Sequence, residues 1–315
     1  MSPADLAAAE NRSTSDSPAR APEPILRARR FFRSDRGRGL VTVSPAFLYA
    51  LVMLAAPLTL MLLLSFWRQD YLDIDRSFTL QNYRDAWTGP VYQLLMVRSL
   101  AISAVTTVLT VTLAYPIAYF VAFEVKQNRA LWLFLITIPF WTSYLLRVFV
   151  WKVILGYNGV VNSALMQLGL IEKPLTFILY DANAVVLTLT HAWAPFAILP
   201  IYVALSKVDR SLLEAAEDLG DGPLRRFWRV TLPLSMPGVL AAALIVFIPT
   251  VGDYVTPKLV GGTDGLMIAN MIQVQFGKAN NAPLGAALAI SAMLIVGAIS
   301  LLLVMIARRF SGGRT

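Results

Sequence analysis

The sequence predicts an all-α, polytopic membrane protein with six transmembrane helices. Three observations carry that prediction: the composition, six long apolar runs, and a soluble helix-turn-helix set between the fourth and fifth of them. Hydrophobic residues make up 57% of the 315 and charged residues only 15%, with a mean hydropathy of +0.62. One soluble core cannot bury that much apolar surface, whereas a bilayer accepts it. Six uncharged or nearly uncharged runs are long enough to cross about 30 Å of hydrocarbon as helices. They lie near Pro45 to Phe66, Ser99 to Phe123, Ala130 to Trp151, Ala182 to Leu205, Leu234 to Thr256 and Ala282 to Ala307.

These spans organise the rest of the chain. Residues 1–43, rich in Ser, Pro, Ala and Arg with little apolar periodicity, are expected to form a disordered basic tail. Residues 44–310 form the membrane domain and 311–315 a second short tail. The first apolar run is too long and too far from Met1 for a cleavable signal. Basic loops tend to stay in the cytoplasm. With both termini there, cytoplasmic segments hold 18 of the 27 Lys and Arg, among them Arg27, Arg29, Arg30, Arg33, Arg36 and Arg38. The formal charge of +8 then follows from topology and from contact with anionic membrane lipid, and nucleic acid is not implied.

Composition also removes whole classes of chemistry. With no cysteine there are no disulfides or thiolate metal sites, and one histidine, His191, excludes a His-based metal cluster. No Gly-rich loop ends in Gly-Lys-Ser or Gly-Lys-Thr, and Gly261 to Gly265 (GGTDG) is too short and lacks the following lysine. Neither ATP, a metal nor another cofactor is therefore expected on this chain. No catalytic nucleophile and base stand together either.

The segment from Glu214 to Gly238 lies in a cytoplasmic loop and carries its own structure. Ser211 and Glu214 have capping-box spacing and predict a helix start. Leu212, Ala215, Ala216 and Leu219 recur at helical spacing as an apolar face. Gly220 supplies a left-handed stop, and Asp221-Gly222-Pro223 a turn that delivers proline to the first position of a second helix. On that helix Leu224, Phe227, Trp228 and Thr231 oppose Arg225, Arg226 and Arg229, and Pro233 with Pro237 should keep it from running into the next span. Such an element either grips a protein partner or lies on anionic lipid.

Glu214-Ala215-Ala216, then Gly220 after three residues, then Val230-Thr231-Leu232-Pro233 after nine more, resembles the EAA loop of ABC importer membrane subunits, with Val230 where isoleucine is more usual. The resemblance implies a type I ABC importer permease-like bundle in the bacterial inner membrane. It also implies a coupling loop over 206–236 whose short helices sit in a groove of a cytoplasmic ATPase dimer. Glu214, Ala215, Ala216, Gly220, Phe227, Leu232 and Pro233 are then the ATPase-coupling residues.

Charged or kinked positions within spans are pathway candidates, because an ion in hydrocarbon is costly unless paired or hydrated. Asp253 lies in PTVGDYVTP, where Pro249, Gly252 and Pro257 should loosen the helix and free carbonyls; the same pattern also fits a span ending in outer water. Arg147 and Lys152 fall in the third span, flanked by Trp141, Tyr144 and Trp151. There Arg147 either snorkels to the interface or pairs with a carboxylate such as Asp253. His191 reads as a hydrogen-bonded packing residue ahead of a proton relay. The stretch from Pro139 to Leu165, together with Gly252 to Gly262 (GDYVTPKLVGG), resembles the spermidine/putrescine branch of these permeases, in the first of its two membrane subunits. That likeness implies a polyamine substrate, an extracytoplasmic solute-binding protein and a second permease subunit. It places Asp253, Tyr254, Trp141 and Tyr144 on the substrate pathway. Permeases for ferric iron, phosphonates and opines share versions of the motif. A secondary transporter relaying protons through Asp253 and His191 is the competing mechanism, and it lacks the expected inverted repeat.

Overall fold

The computed structural model describes residues 35–311 except Leu72 and Phe177; most of the expected tail and residues 312–315 lie outside this range. Two compact units divide at Leu60. Helix α1 (Asp35–Ser65) begins inside the region expected to be unstructured. Extending an existing helix fixes one residue per hydrogen bond gained, so the span propagates outward through Asp35 to Val43.

The second unit takes in the end of α1 from Met61 and then a small hairpin, β1 (Arg68–Asp70) paired antiparallel to β2 (Asp73–Asp75), with Arg68 opposite Asp75. Helix α2 (Gln81–Thr88) leads through Gly89 into α3 (Pro90–Tyr119), which ends in a π turn, Phe120–Glu124. Pro90 stands in the first turn, where its missing N–H is not needed. The expected second span thus starts nine residues earlier than the apolar run alone indicates.

The expected third span, Ala130 to Trp151, is broken. It consists of α4 (Arg129–Thr137), a 3-10 turn (Ile138–Trp141), two extended residues, and α5 (Tyr144–Leu155). Pro139 sits in the 3-10 turn, where a missing N–H and a ring clashing with the preceding turn stop an α-helix. After α6 (Val160–Gln167) comes α7 (Ala182–Leu205), with the limits expected from sequence. Asp181 caps it, accepting from the Asn183 amide.

The fifth span is α10 (Leu232–Val251). It stops at Gly252 and resumes after Tyr254 as α11 (Val255–Val260), followed by α12 (Ile268–Phe276) and α13 (Ala282–Ser311). Six helical stretches among the described residues are long and apolar enough to cross a membrane. The centre of the second unit is α3, α7 and α10 packed on one another. Their contact is lined by Ala114, Ala118, Ala122, Ala197 and Ala242 around Ile201 and Val246. Between spans in lipid there is little hydrophobic driving force, so close packing of small residues and hydrogen bonds hold helices together. Gly238 lies so near Pro200 and Ala204 of α7 that no Cβ fits. Tyr115 on α3 and Ser235 on α10 share a hydrogen bond of 2.8 Å.

Candidate functional site

Two assemblies stand out, one at the junction of α7 with α10 and one where the broken spans meet. The first is the helix-turn-helix. Helix α8 (Arg210–Asp218) starts two residues earlier than the capping-box spacing suggests. Asp209, not Ser211, is the cap, its carboxylate accepting from the Ser211 amide at 3.0 Å. The helix closes in a paired motif at Gly220 (φ 85°), with the Gly220 amide donating to Glu217 O and the Asp221 amide to Ala216 O. Arg210 fastens the loop to the end of α3 by donating to Phe123 O at 2.6 Å.

The second short helix, α9 (Pro223–Arg226), does not stop before the fifth span. It continues through a π turn, Phe227–Thr231, in which the Leu232 amide reaches Phe227 O, and then directly into α10. The wider turn admits Pro233 near the start of α10, and Pro237 lies within it. Leu232 and Pro233 are therefore span residues, and the expected loop of 206–236 gives up its last five residues to α10.

The apolar side chains divide between two directions. Leu213 and Ala216 are buried, and Phe227 packs edge-on against Tyr115 at 5.4 Å. Leu232 also lies against the central cluster. Leu219 (87% exposed), Leu224 (77%) and Trp228 (64%) face out, as do Glu214 and Ala215. The expected single face of Leu212, Ala215, Ala216 and Leu219 is thus split, with Ala216 turned inward and the other three outward. Ion pairs brace the turn: Glu217 with Arg226, and Asp221 with both Arg225 (3.7 Å) and Arg229 (3.3 Å).

The second assembly is a cavity of about 410 Å³ lined by Phe140, Thr142, Tyr144, Arg147, Trp193 and Asp253 among others. Its two key elements are the gaps in the spans: Tyr144 opens α5 after the break at Thr142, and Asp253 occupies the gap between α10 and α11. Tyr144 Oη donates to Asp253 Oδ2 at 2.5 Å. That uses the only phenolic proton, so Thr256 Oγ1, 2.6 Å away, donates to Tyr144 in turn. The other carboxylate oxygen, Oδ1, accepts from the amides of Val255 (2.8 Å) and Thr256 (3.3 Å) at the start of α11. Irregular backbone among spans persists only where protein or a water-lined cavity satisfies it, and both gaps meet that condition here.

Arg147 shares this cavity without an ion pair to Asp253, for no salt bridge within 4.0 Å joins them among the described residues. Its Nη groups donate to Ala192 O and Thr142 O, both at 3.3 Å, and the guanidinium lies over the Phe140 ring at 4.9 Å. Of the four expected pathway residues, Asp253 and Tyr144 come together. Trp141 is 81% exposed and outside the lining, and Tyr254 faces a separate apolar groove between α10, α12 and α13. Thr256 was missed, although a Thr two or three residues after an Asp at a helix start is a turn signal.

Comparison with known proteins places these features. The family model described as "Binding-protein-dependent transport system inner membrane component" matches residues 95–312. The spermidine/putrescine transport system permease protein PotB of Haemophilus influenzae is 36% identical over 251 residues, covering 79% of this chain and 87% of that protein. PotB of Escherichia coli is 37% identical over 230 residues, covering 73% and 83%. Among solved structures, a bacterial ABC transporter importing the acidic polysaccharide alginate superposes with a TM-score of 0.65, covering 85% of this chain and 94% of that one. At 16% identity that is a likeness of fold. The chain belongs to the family of binding-protein-dependent transport system inner membrane components, as a multi-pass permease subunit that is not an enzyme and works with an ATPase on a separate chain.

Proposed function

We propose that this chain forms half of the pathway of a polyamine importer, with spermidine or putrescine as cargo. The observation that carries the reading is Asp253, a carboxylate held at the meeting point of two broken spans and open to a cavity. Three donors already use part of its hydrogen-bonding capacity, leaving room for an ammonium from the cavity. The identities of 36% and 37% to PotB over most of the chain support the same cargo. Both termini and the loop at α8 and α9 face the cytoplasm, where an ATPase dimer takes the outward side chains. A second permease subunit completes the path, and a solute-binding protein delivers cargo from outside. ATP binding closes the ATPases, the coupling loops move with them, and access to the cavity switches side.

The test is uptake of labelled spermidine by the complete reconstituted transporter carrying Asp253→Asn. Uptake should fall roughly tenfold or more, since a hydrogen bond to a charged group contributes about 1.5–3 kcal/mol. Normal uptake with this variant ends the cation-site reading. Arg147 in the same cavity favours a second reading, an anionic cargo; import of an anion, with no polyamine imported, would establish it.

A further inference from the structure

We propose that the aqueous path does not end at the Asp253 cavity but continues along a polar stripe formed by Arg147, Trp151 and His191, so that His191 faces water and passing cargo. This deepens the permease reading and rests on it for the identity of the cargo. Arg147 and Trp151 are one helical turn apart on α5 and share a face. Arg147 donates to the carbonyl of Ala192, the residue that follows His191 on α7. Trp151 Nε1–H donates to His191 Nδ1 at 3.1 Å, and the two rings meet at 5.4 Å.

That hydrogen bond fixes the state of the imidazole. With Nδ1 accepting, the neutral ring carries its proton on Nε2, which has no partner among the described residues. His191 is nevertheless exposed and lies near the middle of α7. A free N–H donor facing hydrocarbon in mid-span is strongly disfavoured, as is a guanidinium one step away. Water along the stripe removes both difficulties. The indole of Trp151, held by His191, then offers an aromatic face to a passing ammonium. His191 is thereby a positioning residue for Trp151, and Arg147, with no ion-pair partner among the described residues, keeps a polycation from lodging there.

The sequence contains no cysteine, so a single introduced thiol reports without background. His191→Cys, Trp151→Cys and Val108→Cys are compared in the complete transporter in vesicles. Val108 is an exposed apolar residue within α3. The probe is a membrane-impermeant, cationic methanethiosulfonate. Modification at 191 or 151 should run roughly tenfold or more faster than at 108, because a thiolate needs water to form, and spermidine should slow it. ATP hydrolysis stimulated by loaded binding protein confirms that each variant assembles, and having two stripe positions guards against the loss of one. Rates at 191 and 151 as slow as at 108 overturn the proposal, as does indifference to spermidine in a transporter that imports it. If no polyamine is imported, the cargo reading fails and the modification rates alone decide the path.

Discussion

Glu217 on α8 and Arg226 on α9 are ion-paired across the Gly220 turn. The pair is partly exposed, so it contributes about 1 kcal/mol or less to stability. Its role is geometric, since it fixes the angle between two helices too short to hold it themselves. Glu217→Arg and Arg226→Glu singly should reduce ATP-coupled uptake several-fold with little change in melting temperature. The double exchange should recover most of the uptake. Equal defects in the single and double variants would refute the clamp.

Gly220 tests the turn itself. Nothing lies within 4 Å of a Cβ placed there, so a substitution meets no steric obstacle and only the left-handed backbone resists it. Gly220→Ala should cost about 1–2 kcal/mol. Gly220→Asn should cost less, because asparagine tolerates that region. Uptake should rank glycine, asparagine, alanine, and any other order in reconstituted vesicles removes the conformational argument.

Leu219 and Trp228 separate docking from folding. Both are exposed, whereas Phe227 between them packs on Tyr115. Leu219→Ser and Trp228→Ser should leave the permease's melting temperature nearly unchanged and weaken ATPase association by about 1–4 kcal/mol, the range of interface anchors. Phe227→Ser should show the reverse. Titrating the purified ATPase against each variant in detergent distinguishes the two patterns.

If Asp253 holds cargo as proposed, Tyr144 competes with that cargo for its carboxylate. Tyr144→Phe keeps the ring and removes the donor to Asp253 Oδ2, so the carboxylate should bind an ammonium more tightly. About 1 kcal/mol for one hydrogen bond predicts severalfold tighter binding of spermidine to the permease and ATPase without binding protein. The same change combined with Asp253→Asn should show no such gain. Isothermal titration provides the numbers, and weaker binding in Tyr144→Phe counts against competition.

The spans were legible because hydrophobic length is a local property: α7 has the limits read from sequence. The two gaps were only half legible. Pro249 and Pro257 marked a loosened helix, but a single sequence cannot show that Tyr144 and Asp253 come to the same place. The link between Tyr144 and Asp253 spans 109 residues and depends on how α5 meets α11. Between α8 and α9, the Gly220 turn could be read because φ > 0 selects glycine. The helix start was misplaced because Asp209 and Ser211 both suit a cap, and the choice depends on where the chain leaves α7. The run from α9 into α10 was hidden by Pro233, which would break a continuous α-helix but here stands at the second residue of α10, directly after the π turn Phe227–Thr231.

That uninterrupted run has a mechanical consequence. From Pro223 to Val251 the backbone is one helical rod of 29 residues, about 43 Å long at 1.5 Å per residue. Trp228 is near one end and the gap holding Asp253 follows the other. Because no residue of the run leaves the helical conformation, a push at one end reaches the other, bending only at the π turn Phe227–Thr231 and at Pro237 and Pro249. If the ATPase docks on Trp228 as proposed, displacing it would shift Asp253 relative to Tyr144 along this one run of backbone, without a relay of intermediate side chains.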